Sequence, residues 1–103
     1  MLNSKQRAFL RGQANTIDTI LYVGKSGVID TVIAQADDAL RVREIIKGKA
    51  LEAAPVSSRE AAEQIAEKTS SEVVQVIGRC FVLYRRNSEN PVVSDKLPKA
   101  KKK

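Results

Sequence analysis

The segment Gly24-Lys25-Ser26-Gly27 has residue types that are suited to binding a phosphate group. The two glycines let a backbone approach the phosphate closely, and Lys25 adds a mobile cation. An apolar run precedes the segment and a helical pattern follows it, so the N–H groups of a helix N-terminus would lie beside it. The alternative is an ordinary strand-to-helix turn in which Ser26 or Gly27 caps the helix.

Two known phosphate-binding motifs can be compared with this segment. A G-x-x-G loop between secondary-structure elements clamps the nucleic-acid backbone in KH domains. A P-loop, by contrast, would require glycine at the position of Thr19. The comparison favours contact with a nucleic-acid backbone over nucleotide hydrolysis.

Residue types that support catalysis or metal binding are scarce in this chain. It has no His and a single cysteine, Cys80, which excludes an internal disulfide, a Cys–His nucleophile and a zinc site built from Cys and His. The carboxylates show no paired arrangement typical of acid–base catalysis. The sequence therefore predicts a binding protein that is not an enzyme and needs no cofactor or metal.

Basic residues outside the segment are candidates to extend a phosphate-binding surface. The chain has 18 Lys and Arg residues against 12 Asp and Glu, a formal net charge of +6. Clustered positive charge is typical of surfaces that bind nucleic acid. The candidates on a predicted first helix without acidic residues and at a predicted hairpin tip are Lys5, Arg7, Arg11 and Arg79. Arg85 and Arg86, after the last strand, would extend this surface, and solvated surface charge is the alternative for all of them.

The hydrophobic pattern predicts the order helix, strand, helix, strand, helix, strand, strand. Helices are predicted over residues 3–15, from about Ile29 to Leu40, and after a capping box formed by Ser57 and Glu60. Strands are predicted over residues 17–23, 44–51, 72–77 and 80–84, and Gly78-Arg79 suits a type II′ hairpin turn. Crossover helices favour right-handed β-α-β packing, so we expect a compact α/β sandwich of two-layer type.

Charge and composition divide the chain into one domain, residues 1–87, and a basic tail, residues 88–103. Residues 85–103 hold seven basic and two acidic side chains, whereas residues 1–84 hold 11 and 10. The tail has few large apolar side chains, so we expect it to be disordered and either to strengthen binding to polyanions or to act as a solubilising end. No apolar run approaches the roughly 20 residues that span a bilayer, and we expect a soluble, cytoplasmic protein.

The aromatic residues and the cysteine are expected to pack rather than to bind ligands. The chain has two Tyr, two Phe and no Trp, too few for a large stacking surface. Tyr22 and Tyr84 each lie in an apolar strand, where the ring packs and the hydroxyl reaches water. Cys80 lies beside Phe81 in a strand and is expected to be an inert thiol.

Four separated blocks resemble the CRM (YhbY-type) RNA-binding domain over roughly residues 2–87. The blocks are Ser4-Lys5-Gln6-Arg7 with Leu10-Arg11, Tyr22-Val23-Gly24-Lys25-Ser26-Gly27, Glu44-Ile45-Ile46-Lys47, and Val76-Ile77-Gly78-Arg79 with Val82-Leu83-Tyr84-Arg85. Two places depart from the family pattern. Thr19 stands where a proline is usual, and Gly48 and Ala50 replace larger residues in the second strand, which puts the local stability of that strand in doubt.

The resemblance implies a four-stranded mixed sheet with helices packed on it, similar to the C-terminal domain of bacterial translation initiation factor three. It also implies RNA binding through Gly24, Lys25, Ser26 and Gly27 and the neighbouring basic surface. For stand-alone bacterial members it implies association with ribosomal RNA or precursors of the large ribosomal subunit, and assistance in ribosome assembly. We expect a monomer whose phosphate contacts are Lys25, the amides of Gly24 and Gly27, and basic side chains of the first helix, with Arg79 as an extension.

Two alternatives remain open from the sequence. A general nucleic-acid-coating protein of similar fold would show little preference between structured RNA and duplex DNA. A protein-interaction module would instead dock on ribosomal proteins through the acidic second and third helices, and residues 24–27 would then be only a structural turn.

Overall fold

The computed structural model describes residues 4–86, which form three helices and four strands in the predicted order. The helices are α1 (Ser4–Ala14), α2 (Asp30–Arg43) and α3 (Ser58–Thr69), and the strands are β1 (Thr19–Val23), β2 (Ile45–Ala50), β3 (Glu72–Ile77) and β4 (Cys80–Tyr84). The predicted tail, residues 88–103, lies outside the described residues. Among the described helices, none combines the length and the apolar character needed to cross a membrane.

The four strands form one mixed sheet in the order β1-β2-β4-β3. Strands β1 and β2 are parallel and are connected through α2, whereas β4 is antiparallel to both β2 and β3. Strands β3 and β4 are joined by the predicted two-residue hairpin, in which Gly78 has a φ of 57°. A positive φ at this position is what primed hairpin turns require. The α/β fold and the mixed sheet are therefore confirmed.

The number of layers differs from the expectation, because the helices cover both faces of the sheet. Helices α2 and α3 pack on one face, against side chains that include Ile46 and Leu83. Helix α1 packs on the other face, where Leu10 contributes to a second cluster with Ile45 and Val82. Successive residues of a strand point to opposite faces, so the apolar runs of β2 and β4 require cover on both sides. The protein therefore has three layers, with the sheet in the middle, rather than two.

The predicted capping box begins α3 and fixes the position of this helix in the chain. The Glu60 N–H donates to Ser57 Oγ at 3.1 Å, and the Ser57 N–H donates to Glu60 Oε1 at 3.0 Å. The helix ends at Ser70, which has the left-handed conformation with a φ of 58°. The start of α3 thus follows from local sequence, whereas its end is closed by a serine in a conformation that glycine usually adopts.

Arg85 connects the end of β4 to α2 and α3. Its guanidinium donates to Asp37 Oδ1 at 2.7 Å, to the Asp37 carbonyl at 3.1 Å and to the Thr69 carbonyl at 2.8 Å. These groups lie at the end of the sheet opposite Gly24, because Tyr84 pairs with Ile45, the first residue of β2. The prediction that Arg85 extends a phosphate-binding surface is therefore wrong, since its donors stabilise the packing of the helices.

Gly48 is a glycine because the Phe81 ring occupies the space where a side chain would stand. The two residues lie opposite each other in β2 and β4. A Cβ on Gly48 would lie 2.5 Å from Cε1 and Cζ of Phe81, whose side chain is 1% exposed. The glycine that seemed to weaken the strand in the sequence therefore permits a close contact inside the core.

We predict that Gly48→Ala lowers the free energy of unfolding by about 1–3 kcal/mol, because the new methyl group would force the buried Phe81 ring to shift within the core. Gly12→Ala is the matched control. Gly12 lies in α1 with no atom near its added Cβ, so alanine should stabilise the helix by about 0.5–1 kcal/mol. Urea denaturation measures both values, and equal effects of the two substitutions would contradict this packing.

A second prediction concerns Asp37. The hydrogen bond from Arg85 lowers the pKa of Asp37 below its usual value of 3.8, and the charges of Arg85 and Arg41 lower it further. Partial desolvation of the carboxyl raises the pKa but does not outweigh these effects. A carboxyl whose pKa is lower in the folded state stabilises the fold above the unfolded-state pKa, and this contribution is lost as the pH falls through the folded-state pKa.

We therefore expect Asp37→Asn to destabilise the protein by only about 0.5 kcal/mol at neutral pH, because the Asp37 side chain is 40% exposed and solvent screens its ion pair. The difference from wild type should shrink below pH 3.8. Asp38→Asn is the control, because Asp38 is exposed and its ion pair is with Arg41, at 3.2 Å, rather than with Arg85. Denaturation across this pH range measures the effect. A difference between wild type and Asp37→Asn that stays constant with pH would contradict the assignment.

Candidate nucleic-acid interface

Residues 24–27 form a tight turn, named here the 24–27 turn, between β1 and α2. The Gly27 N–H donates to the Gly24 carbonyl at 2.9 Å, which closes the turn. Lys25 and Ser26 are its two central residues, and both are exposed. The Ile29 N–H then donates to the Gly27 carbonyl at 3.1 Å, and α2 begins one residue later.

The hydrogen bonds of the turn determine which donors can meet a ligand. The Gly27 N–H is used inside the turn, so the expectation that this amide meets a phosphate is not met in this conformation. The N–H groups of Lys25 and Ser26 donate to no other residue within the described range 4–86. With the Lys25 ammonium and the Ser26 hydroxyl, they form a compact set of donors of the kind that binds a phosphate oxygen.

The alternative in which Ser26 or Gly27 caps the following helix is not observed. The N-cap residue of α2 is Ile29, and no side-chain hydrogen bond caps the helix. An apolar N-cap leaves the first N–H groups of a helix without a side-chain acceptor. These groups begin three residues beyond the 24–27 turn and add a partial positive charge there, opposed by the carboxylate of Asp30 in the first helical turn.

The two glycines of the turn have different roles. Gly27 has a φ of 78°, in the left-handed region that favours glycine, and it is buried. A Cβ there would lie 3.3 Å from Cγ of Pro55, in the segment between β2 and α3. Gly24 has neither a positive φ nor a neighbouring atom within 4 Å of an added Cβ. The second glycine therefore fixes the turn, whereas the first leaves open space beside Lys25.

The hairpin tip lies at the same end of the sheet as the 24–27 turn, which we call the loop end. The Ala50 N–H at the end of β2 donates to the Arg79 carbonyl at 2.8 Å, and Ser58 Oγ donates to the Gly78 carbonyl at 2.6 Å. Val23, directly before the turn, pairs with Ala50. Arg79 is exposed and forms no ion pair with any residue from 4 to 86. The fold thus brings Arg79 and Lys25 to one end of the protein.

Of the three basic residues of α1, Arg7 is held away from the loop end. The Arg7 guanidinium donates to the Val73 carbonyl at 2.9 Å and pairs with Glu72 at 3.6 Å, at the start of β3. This is the end of the sheet opposite the 24–27 turn. Lys5 and Arg11 are exposed on α1, and neither pairs with a carboxylate among the residues that the structure describes. Arg7 is therefore engaged with β3, whereas the predicted strip from α1 to the glycine segment stays a prediction for Lys5 and Arg11.

The two faces of the protein differ in charge. Helices α2 and α3 together carry six acidic and four basic side chains, whereas α1 carries three basic side chains and no acidic one. Because α1 packs on the other face of the sheet from α2 and α3, the basic helix and the two more acidic helices lie on opposite sides of the protein. A polyanion is attracted to the α1 face and repelled by the outer surfaces of α2 and α3.

Tyr22 is a residue whose exposure the sequence analysis missed. Its residue surface is 50% exposed, and its hydroxyl makes a long hydrogen bond of 3.4 Å to the Thr19 carbonyl. Tyr84, by contrast, is 4% exposed and packs in the core as expected. The alternation with the buried residues Leu21 and Val23 was the available signal, because it places Tyr22 on the other face of β1.

The described part of the chain contains no cluster of His, Cys, Asp and Glu side chains arranged to hold a metal ion. The 24–27 turn and Arg79 carry N–H, hydroxyl, ammonium and guanidinium donors. Such a set binds anions.

Comparison with known proteins shows the family. The model of the CRS1/YhbY (CRM) domain matches residues 2–85, and the chain belongs to this family. The "Probable RNA-binding protein YqeI" of Bacillus subtilis is 40% identical over 90 residues, which cover 87% of this chain and 94% of that protein. A protein of Haemophilus influenzae named "RNA-binding protein" is 33% identical over 88 residues, which cover 85% of this chain and 89% of its own.

A solved structure has the same fold. The solution structure of the hypothetical protein SAV1595 from Staphylococcus aureus superposes with a TM-score of 0.76 at 41% sequence identity. The match covers 95% of this chain and 98% of the other.

We predict that Gly27→Ala destabilises the protein by about 1–2 kcal/mol, because an L side chain must adopt the left-handed conformation against Pro55. Gly24→Ala, which meets no atom, is the matched control and should leave stability unchanged within about 0.5 kcal/mol. Thermal denaturation measures both. If Gly24→Ala were the more damaging substitution, the roles given to the two glycines would be reversed.

Proposed function

We propose that this protein is a non-catalytic RNA-binding protein that associates with ribosomal RNA or precursors of the large ribosomal subunit and assists ribosome assembly. Membership of the CRM family and the names of its relatives support the RNA ligand. The observation that carries most weight is the 24–27 turn, which presents an exposed lysine, an exposed serine and two unused amides at one end of the protein.

The turn supports binding to the sugar-phosphate backbone rather than to base edges. A phosphate oxygen can accept from the Lys25 and Ser26 N–H groups while the Lys25 ammonium neutralises its charge. Arg79 lies at the same end and can meet a second phosphate. Contacts of this kind position an RNA without selecting its sequence.

Release of counterions from RNA provides much of the binding free energy in such a mechanism. The affinity should therefore fall steeply as salt increases. The acidic outer surfaces of α2 and α3 favour one orientation of the protein, in which the α1 face and the loop end meet the RNA. The role of the protein is then to bind and hold RNA, with no bond made or broken.

We predict that Lys25→Glu weakens binding to fragments of large-subunit ribosomal RNA and reduces the slope of log affinity against log salt by about 1. Lys68→Glu is the matched control. Lys68 is exposed at the end of α3, and this substitution makes the same change in net charge on the other face. Filter binding or fluorescence anisotropy at several salt concentrations measures both variants, with duplex DNA as competitor.

Wild type and Lys68→Glu should bind the RNA similarly, and duplex DNA should compete poorly. If both variants lose affinity equally, the loss of RNA affinity comes from the change in net charge alone, and the turn is not the binding site. If duplex DNA competes as well as RNA, the protein is a general nucleic-acid-coating protein. If Lys25→Glu binds like wild type, while substitutions on α2 and α3 abolish association with ribosomal particles, the protein is an interaction module for ribosomal proteins.

A further inference from the structure

The strand register aligns four side chains in one row across the uncovered part of the sheet. Tyr22 pairs with Lys49, Lys49 with Cys80, and Cys80 with Ile77, so the row crosses β1, β2, β4 and β3. Paired residues in a sheet point to the same face. We call these four residues the open row.

The open row lies between α1 and the loop end. Helix α1 covers the part of this face that contains Ile45, Val82 and Tyr84 and stops at Ala14. The next pairs toward the loop end form the open row, and β1 enters the 24–27 turn two residues after Tyr22. No helix of the described chain packs over the row.

The two ends of the row lie on the edge strands β1 and β3 and are exposed, and a central strand adds positive charge. Tyr22 is 50% exposed and Ile77 is 63% exposed. Lys49 lies directly beside Tyr22, and Lys47 lies two residues earlier on the same strand face. Neither lysine forms an ion pair with any carboxylate within residues 4–86, and both are half-buried. The row therefore places an exposed aromatic and an exposed apolar side chain beside lysines that have no carboxylate partner within residues 4–86, a combination that suits an anionic partner.

The shape of this face suits a surface ligand rather than an enclosed small molecule. A shallow cleft of about 200 Å³ lies between the end of α1 and the row, and its lining includes Asn15, Lys47, Gln75, Ile77 and Cys80. Small-molecule sites are typically larger, about 300–1,000 Å³, and more enclosed. An exposed aromatic ring with lysines beside it is instead the kind of contact on which single-stranded nucleic acids stack a base.

We propose that the open row binds a single-stranded segment of RNA, with one base stacked on Tyr22 and the adjoining phosphates at Lys49 and Lys47. This inference rests on the proposed function and extends it from the 24–27 turn to the sheet. The Tyr22 hydroxyl makes only a long hydrogen bond, of 3.4 Å, to the Thr19 carbonyl. A tyrosine side chain has two χ angles, so it loses little conformational freedom on stacking.

The turn and the row then act on successive parts of one strand. Phosphates at the 24–27 turn fix the backbone, and the base that follows reaches the sheet beside Tyr22. Ile77, at the other end of the row, offers an apolar contact for a second base. This arrangement favours unpaired RNA, because the bases of a duplex are stacked on each other and cannot reach the row.

The test compares wild type with Tyr22→Leu, which keeps an apolar side chain but removes the aromatic ring. The probe is a single-stranded oligouridine of about ten nucleotides, together with an abasic oligomer of the same length and charge. We expect Tyr22→Leu to bind oligouridine about tenfold more weakly and to bind the abasic oligomer like wild type. Val42→Ala, an exposed apolar residue of α2 on the other face, is the matched control and should change neither affinity.

Two readouts report directly on the row. Cys80 is the only cysteine of the chain and lies within the row, so oligouridine should slow its alkylation several-fold. The chain has two tyrosines and no tryptophan, and Tyr84 is buried, so quenching of tyrosine fluorescence by oligouridine reports Tyr22. This quenching should disappear in Tyr22→Leu. Circular dichroism of each variant confirms that it is folded.

Binding of a large-subunit ribosomal RNA fragment separates failure of this inference from failure of the proposed function. If the fragment binds wild type, but Tyr22→Leu binds oligouridine normally and Cys80 stays reactive in the complex, the open row is not an RNA site and the proposed function stands. If wild type binds neither the fragment nor oligouridine, both proposals are wrong. Equal affinity of wild type for oligouridine and the abasic oligomer also overturns the stacking contact.

Discussion

The contact between the Phe81 ring and the backbone of Gly48 is the constraint on which the arrangement of the sheet depends. The ring fills the position of a missing side chain in the strand opposite, so β2 and β4 fit together closely in one register. A shift of one residue would place a larger side chain against the ring and would turn every side chain to the other face. The same register aligns Tyr22, Lys49 and Cys80 on the uncovered face.

The two faces of the sheet differ in how completely the helices cover them. The side under α2 and α3 contains the larger apolar cluster and is locked at one end by Arg85, Asp37 and Thr69. The other side is only partly covered by α1, so it can hold half-buried lysines without a cost to the main core. The 24–27 turn lies where β1 leaves the sheet, and the burial of Gly27 against Pro55 holds it there.

Features fixed by neighbouring residues could be predicted from the sequence. The capping box of Ser57 and Glu60, the hairpin at Gly78 and the order of elements depend on short spacings. The face that α1 covers could not be predicted, because it depends on which side of β2 and β4 remains apolar after α2 and α3 have packed. The partners of Arg7 and Arg85 lie 66 and 48 residues away in the chain, so nothing local distinguishes these arginines from solvated ones.

The most direct measurement of the central claim is a titration of isotopically labelled protein with a large-subunit ribosomal RNA fragment, followed by amide chemical shifts in NMR spectra. The account predicts that the largest changes fall on Lys25 and Ser26, with Tyr22 and Lys49 also affected, and that the outer surfaces of α2 and α3 stay unchanged. Changes concentrated on α2 and α3, with the signals of Lys25 and Ser26 unmoved, would contradict it.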